Sequence, residues 1–231
     1  MTMHEQPLLI KISGALSVIM FLAGVINSLC SILTFQNQKS RQVGCGLYLL
    51  VSSITSLVTI TMFTIKFWFV VLTQMDISVS MSTLEGGCKS IETLLKFFFY
   101  WDAWLNACVA VERAVSVYRG VSFDKEKSKR FARWIIFIIP IVIVGTIIHE
   151  PFYREVFKYN AKTENEISRH TWCITFYPRA VQDYNTVILF VHLLGPFIAN
   201  VSSALFIIIG SARRRADAQK QQSYREHIRE Q

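Results

Sequence analysis

Charged residues in this chain gather in clusters, and the clusters leave long stretches that carry none. Residues 12–38, 42–65, 134–148 and 184–212 are uncharged. A helix needs about 20 apolar residues to cross a hydrocarbon core of roughly 30 Å. Each stretch is near or above that length. The shortest, Trp134–Ile148, reaches it only if flanking Lys129, Arg130 and Arg133 snorkel toward the headgroups. A fifth apolar stretch, from Cys88 to Tyr118, is interrupted by Lys96 and Asp102. The pattern predicts helices over residues 12–35, 43–72, 88–118, 130–149 and 182–212. One such run alone could be a core helix of a soluble protein. Four of them separated by polar loops predict an all-α integral membrane bundle.

The interrupted helix is the most informative. Cys88 precedes Arg113 by 25 residues, and a helix of that length rises roughly 37 Å. A cysteine at one membrane face is thus tied by a rigid rod to the Glu112-Arg113 pair at the other. Polar residues inside a spanning helix need neighbours to satisfy them, so this helix belongs at the centre of the bundle.

Lysine and arginine positions set the orientation. Lys39 and Arg41 lie in loop 36–46 with no acid. Loop 119–133 carries six basic residues against Asp124 and Glu126, and Arg213-Arg214-Arg215 follows the last helix. These segments are predicted to be cytoplasmic. The expected layout is an extracellular N-terminus at 1–11, a transmembrane domain at 12–212 and a cytoplasmic segment at 213–231, in the plasma membrane. Met1–Ile10 lacks a basic start and a small-residue cleavage site, so no cleavable signal peptide is expected. The formal net charge of +8 is then a topology signal; nucleic-acid binding, the competing reading of a basic chain, does not fit charge spread over membrane loops.

That topology sorts the five cysteines. Cys88 and Cys173 are the two on the oxidising side, which leaves Cys88–Cys173 as the disulfide to expect. No metal-ligand spacing and no nucleophile-base pair occurs, so neither a cofactor nor an enzyme is expected. The sequon Asn200-Val201-Ser202 lies inside the last helix.

In their order and spacing, Cys88, Glu112-Arg113-Ala114 and Cys173 resemble the rhodopsin-like (class A) G-protein-coupled receptors. Gly24 and Asn27 in the first helix and Pro196 in the fifth are similar to that family as well. The resemblance implies five of the family's seven transmembrane helices, a ligand on the outer side and a heterotrimeric G protein on the inner. It implies that Arg113 pairs with Glu112 in a closed bundle and meets the G protein when released. Plain snorkelling at a helix C-terminus is the alternative reading of Arg113. Val121 stands where the family has an apolar plug that docks into the G protein, and Gly120 stands where proline is usual.

Several positions depart from the family. Ile54 occupies the place of its sodium-binding aspartate, while Asp102 lies eleven residues before Arg113, where a small hydroxyl residue is usual. A relocated carboxylate would organise a polar core of Asn27, Ser53, Asp102 and Asn106, with Asp102 a sodium candidate. Protonation, or another partner, is the alternative for Asp102. Ala204 and Ala114 replace two tyrosines that steady the family's active state.

On the ligand side, Leu95 stands where amine receptors have an aspartate, which argues against an amine. Glu92, Lys96, Phe99 and Tyr100 on the third helix could present charge and aromatic surface. Trp172 and His192 are further candidates, as are Lys66 and Trp68. Bundle packing is the alternative for each aromatic, and snorkelling for Lys66. A peptide is the preferred ligand class. Because the sequence ends before two of the family's helices, two functions stay open. One is a receptor, or a fragment of one. The other is a non-signalling truncated form that acts as scaffold or decoy for an intact receptor.

Overall fold

A computed structural model of the chain describes residues 6–37, 40–74, 81–163 and 166–229. Its helices are α1 (Gln6–Gln36), α2 (Gly44–Gln74), α3 (Met81–Arg119), α4 (Lys125–Ile147) and α5 (Arg179–Arg229). All five are long and apolar enough to cross a membrane. Helices suit that setting because every interior backbone group finds its partner within the segment. α2 packs between α1 and α3, and α3 also contacts α4 and α5, so α3 is the hub. Two clusters fill the interior: Tyr48, Leu105, Val109 and Ala132, and Tyr100, Ile143 and Ile147. Large apolar side chains such as Leu33, Phe137, Ile141 and Phe206 point outward.

Local chemistry sets the helix ends. Gly120 adopts φ +54° and stops α3, a left-handed conformation that glycine tolerates and L side chains resist. Asp124 caps α4, its carboxylate accepting from the backbone N–H of Glu126 at 3.1 Å and of Lys127 at 3.0 Å. These hydrogen bonds, that to Lys127 first, hold the Asp124 carboxyl below its ordinary range. Within α5, Pro196 has no N–H to give, and Asn200 Nδ2 donates to the Pro196 carbonyl at 2.8 Å.

The helices run further than the apolar pattern alone indicates. α3 begins seven residues before Cys88, and α5 continues well beyond residue 212 through Arg-, Lys- and Gln-rich sequence of high helix propensity. Between α4 and α5, where only an outer loop was expected, β1 (Arg154–Thr163) and β2 (Glu166–Thr175) form an antiparallel hairpin. β-formers such as Val156, Phe157, Tyr159, Trp172 and Ile174 favour it, but interspersed charges hide the alternation. The bundle remains all-α, with this hairpin as an appendage at one end.

Candidate functional site

The two ends of α3 and its middle each carry a polar constellation. At the first end, Cys88 and Cys173 are joined by a disulfide that closes a segment of 85 residues. Cys173 sits on β2 opposite Val156, so the bond pins the hairpin to α3.

One turn further along α3 lies a chain of alternating charges. Lys66 of α2 pairs with Glu92 at 2.7 Å. Glu92 also faces Arg154 at 3.8 Å. Arg154 donates to Glu150 at 2.9 Å, and Lys96 donates to the other oxygen of Glu150. Glu92 and Lys96 are four residues apart and share one face of α3. Glu150 is fully buried, and its two cations are what make that tolerable. The Tyr177 hydroxyl also meets Glu150; burial first, then this carboxylate, pushes that hydroxyl up from its ordinary value. Among the described residues, three cations face two carboxylates, and the buried Nε of Arg154 has no hydrogen-bond partner. Lys66 and Lys96 remain about one-third exposed. The charge chain therefore ends outward in cationic side chains.

Other predicted ligand residues are placed differently. Leu95 is half-buried beside Lys96. Phe99 is 50% exposed and turns away from the interior. Tyr100 is buried and stacks on His192, with ring centroids 4.6 Å apart. His192 is committed as well. Trp104 Nε1 donates to its Nδ1 at 2.9 Å. An indole can only donate, so the His192 proton sits on Nε2, which meets Thr146 Oγ1 at 2.9 Å. The Thr146 hydroxyl in turn donates to the Ile143 carbonyl at 2.8 Å. His192 thus fastens α3, α4 and α5 together and offers no free nitrogen to a ligand. Trp68 is exposed on α2 and lies 3.8 Å from the position of a Cβ on Gly14 in α1. The side chain of Trp172 lies outside the described residues.

Midway along α3, Asp102 Oδ1 accepts from Ser52 Oγ at 2.6 Å and from Thr55 Oγ1 at 3.0 Å. Asn106 Nδ2 donates to Asp102 Oδ2 at 3.3 Å. The expected polar core is thus redrawn. Ser53 is one residue from Ser52, about 100° around the helix, and bonds its own Leu49 carbonyl at 2.7 Å. Asn27 is exposed on α1. Ser52 and Thr55 share the face that meets α3, a spacing of three that the sequence does display. Ser52, Thr55 and Asn106 thus gather around Asp102, the expected sodium candidate. The Ser52 hydroxyl donates to the carboxylate, while the Thr55 hydroxyl reaches both the carboxylate and the Ser52 carbonyl at 3.0 Å.

At the far end of α3, Glu112 does not pair with Arg113. No ion pair joins them among the described residues; Glu112 instead accepts from Ser128 Oγ of α4. Ser128 Oγ also accepts from the backbone N–H of Gly44 at 3.2 Å. A Cβ on Gly44 would lie 2.7 Å from Glu112 Oε2, 2.8 Å from Ser128 Oγ and 2.9 Å from Ala132 Cβ. Successive residues of α3 lie 100° apart, so Glu112 faces α2 and α4 while Arg113 is exposed. Val121 is fully exposed in the turn after Gly120. Neither Gly44 nor Ser128 stands out in sequence, since each matters only through this three-helix joint.

With this geometry in place, comparison with known proteins settles the family. Residues 26–231 match the family model of the 7 transmembrane receptor (rhodopsin family), and the chain belongs to that family. No curated protein matches the chain. It is a multi-pass membrane protein of a receptor class whose members signal rather than catalyse.

Proposed function

We propose that this chain serves a receptor that carries an extracellular signal to a heterotrimeric G protein. The N-terminus and the disulfide end face outside the plasma membrane. The observation that carries the reading is α3 itself: one rigid helix bears Glu92 and Lys96 of the charge chain at one end and an exposed Arg113 at the other. Ligand contact falls to Lys66, Glu92 and Lys96, with Leu95 beside them. The excess of cations over carboxylates there among the described residues, with Lys66 and Lys96 partly exposed, favours a peptide that presents an acidic group. Arg113 and Val121 face the G protein, and Glu112 holds the closed joint through Ser128.

The test is surface expression with an N-terminal epitope, followed by basal and peptide-stimulated G-protein activation across the Gα classes. Antibody labelling of intact cells and a response lost in Arg113→Ala support the reading. Surface-expressed protein that activates no Gα class, but co-purifies with an intact receptor, favours the non-signalling scaffold or decoy. An epitope reached only after permeabilisation overturns the orientation.

A further inference from the structure

A groove runs along the outside of the bundle at the Glu112-Arg113 end, between α3, α4 and α5. It has two lobes. One, of about 540 Å³, is walled by Val111, Val115, Phe131 and Ile135. The other, of about 390 Å³, is walled by Val115, Tyr118, Phe206 and Gly210. Val111, Val115 and Ala199 line both, so the lobes lie side by side and share a ridge. Val111, Val115, Phe131 and Phe206 are exposed, so the groove opens away from the bundle interior.

The mouth is charged. Arg119 lines the first lobe, together with Asp124 and Lys127. The Asp124 carboxylate is taken up by the backbone N–H groups of Glu126 and Lys127, with Lys127 Nζ at 3.5 Å. Glu112, deeper in the lobe, is engaged by Ser128. Arg214 reaches the end of α3, where its guanidinium donates to the Val117 and Tyr118 carbonyls. It lies 2.9 Å from the position of a Cβ on Gly120. That contact sets the Arg214 guanidinium at the carbonyl end of α3, where the helix dipole favours a cation. No carboxylate pairs with Arg119 or Arg214 among the described residues.

We propose that this groove holds one anionic diacyl phospholipid of the cytoplasmic leaflet, with an acyl chain in each lobe and the headgroup between Arg119 and Arg214. Two apolar lobes fit two chains, and the paired cations fit one anionic headgroup. The cytoplasmic leaflet supplies anionic lipid. The proposal rests on the membrane placement with the basic end in the cytosol. It does not depend on ligand binding or G-protein activation, so it stands or falls separately from them.

The probe is palmitoyl-oleoyl phosphatidylserine against the matching phosphatidylcholine. Both are offered at equal concentration to detergent-purified protein, and retention is read by native mass spectrometry. A near-surface cation strengthens anionic-lipid binding roughly fivefold. Phosphatidylserine is expected to be retained as a single copy and preferred about twenty- to thirtyfold. Arg119→Gln/Arg214→Gln is expected to abolish the preference. Arg119→Gln alone, which leaves the Arg214 contact to α3 intact, is expected to reduce it about fivefold. Lys125→Gln/Arg130→Gln removes equal charge outside the groove and should leave it unchanged. Ala199→Trp, which fills the shared ridge, should lower retention of both lipids. Equal retention of the two lipids overturns the proposal. So does an equal loss in the Lys125/Arg130 control. Unchanged binding in a folded Ala199→Trp protein, or free phosphoserine binding as well as the lipid, overturns it too.

Discussion

Replacing Gly44 with alanine places a methyl group where three helices already touch. Glu112 Oε2 and Ser128 Oγ, at 2.7 and 2.8 Å from that position, end rotatable side chains and can move. Ala132 Cβ, at 2.9 Å, is fixed to the α4 backbone. Carbon atoms pack at about 3.5–4.0 Å, so α4 must retreat by roughly 0.6–1.1 Å locally. Overpacking of this kind costs about 1–3 kcal/mol, and the Ser128–Glu112 bond is strained with it. At about 2–4 °C per kcal/mol for a chain of this size, Tm falls by about 2–12 °C. The free cysteines Cys45 and Cys108 are half-buried, so a thiol-reactive fluorophore reports the loss during a thermal ramp in detergent. The decisive comparison is Gly44→Ala/Ala132→Gly. Ala132→Gly alone costs about 1 kcal/mol through helix propensity, yet it should recover part of the Gly44→Ala loss, because the pair is in contact. A Gly44→Ala protein with wild-type Tm, or strictly additive losses in the double variant, would refute the three-helix joint.

The charge chain and the helix ends give further predictions. Lys96→Met leaves the fully buried Glu150 with one cation fewer and should destabilise by about 3–5 kcal/mol, while Lys96→Met/Glu150→Leu should recover most of that; chemical denaturation in detergent compares the two. Cys88→Ser/Cys173→Ser releases a constraint across 85 residues, worth about 4–5 kcal/mol on the chain-entropy account, and limited proteolysis should then cut the β1–β2 hairpin. Asp124 has a lowered carboxyl pKa, so its stabilisation of α4 is present above the ordinary carboxylate pKa and fades as pH falls through the lowered one. The Tm gap between wild type and Asp124→Ala should narrow in acid, and Asp124→Asn should restore the cap at either end of the pH range.

The membrane bundle was legible in the sequence because lipid imposes a one-dimensional rule. A segment either has enough uncharged length to span or it does not, and the five helices follow from residues 12–38, 42–65, 134–148, 184–212 and the rod after Cys88. The cysteine pair was legible for a similar reason: topology left two thiols on one side. Partners were not legible, because they depend on rotation about helix axes that α2, α3 and α4 fix only by packing together. Glu112 turned to Ser128 rather than to its neighbour Arg113. Asp102 took Ser52 and Thr55 rather than Ser53. His192 was consumed by Trp104 and Thr146. The buried Glu150–Arg154 pair comes from residues that look like ordinary loop charges, and the three-helix contact at Gly44 comes from a residue with no side chain at all. Sequence set which segments cross and which end of each is basic; only the packed bundle decided which polar groups meet, because a helical residue's neighbours lie across the interface rather than along the chain.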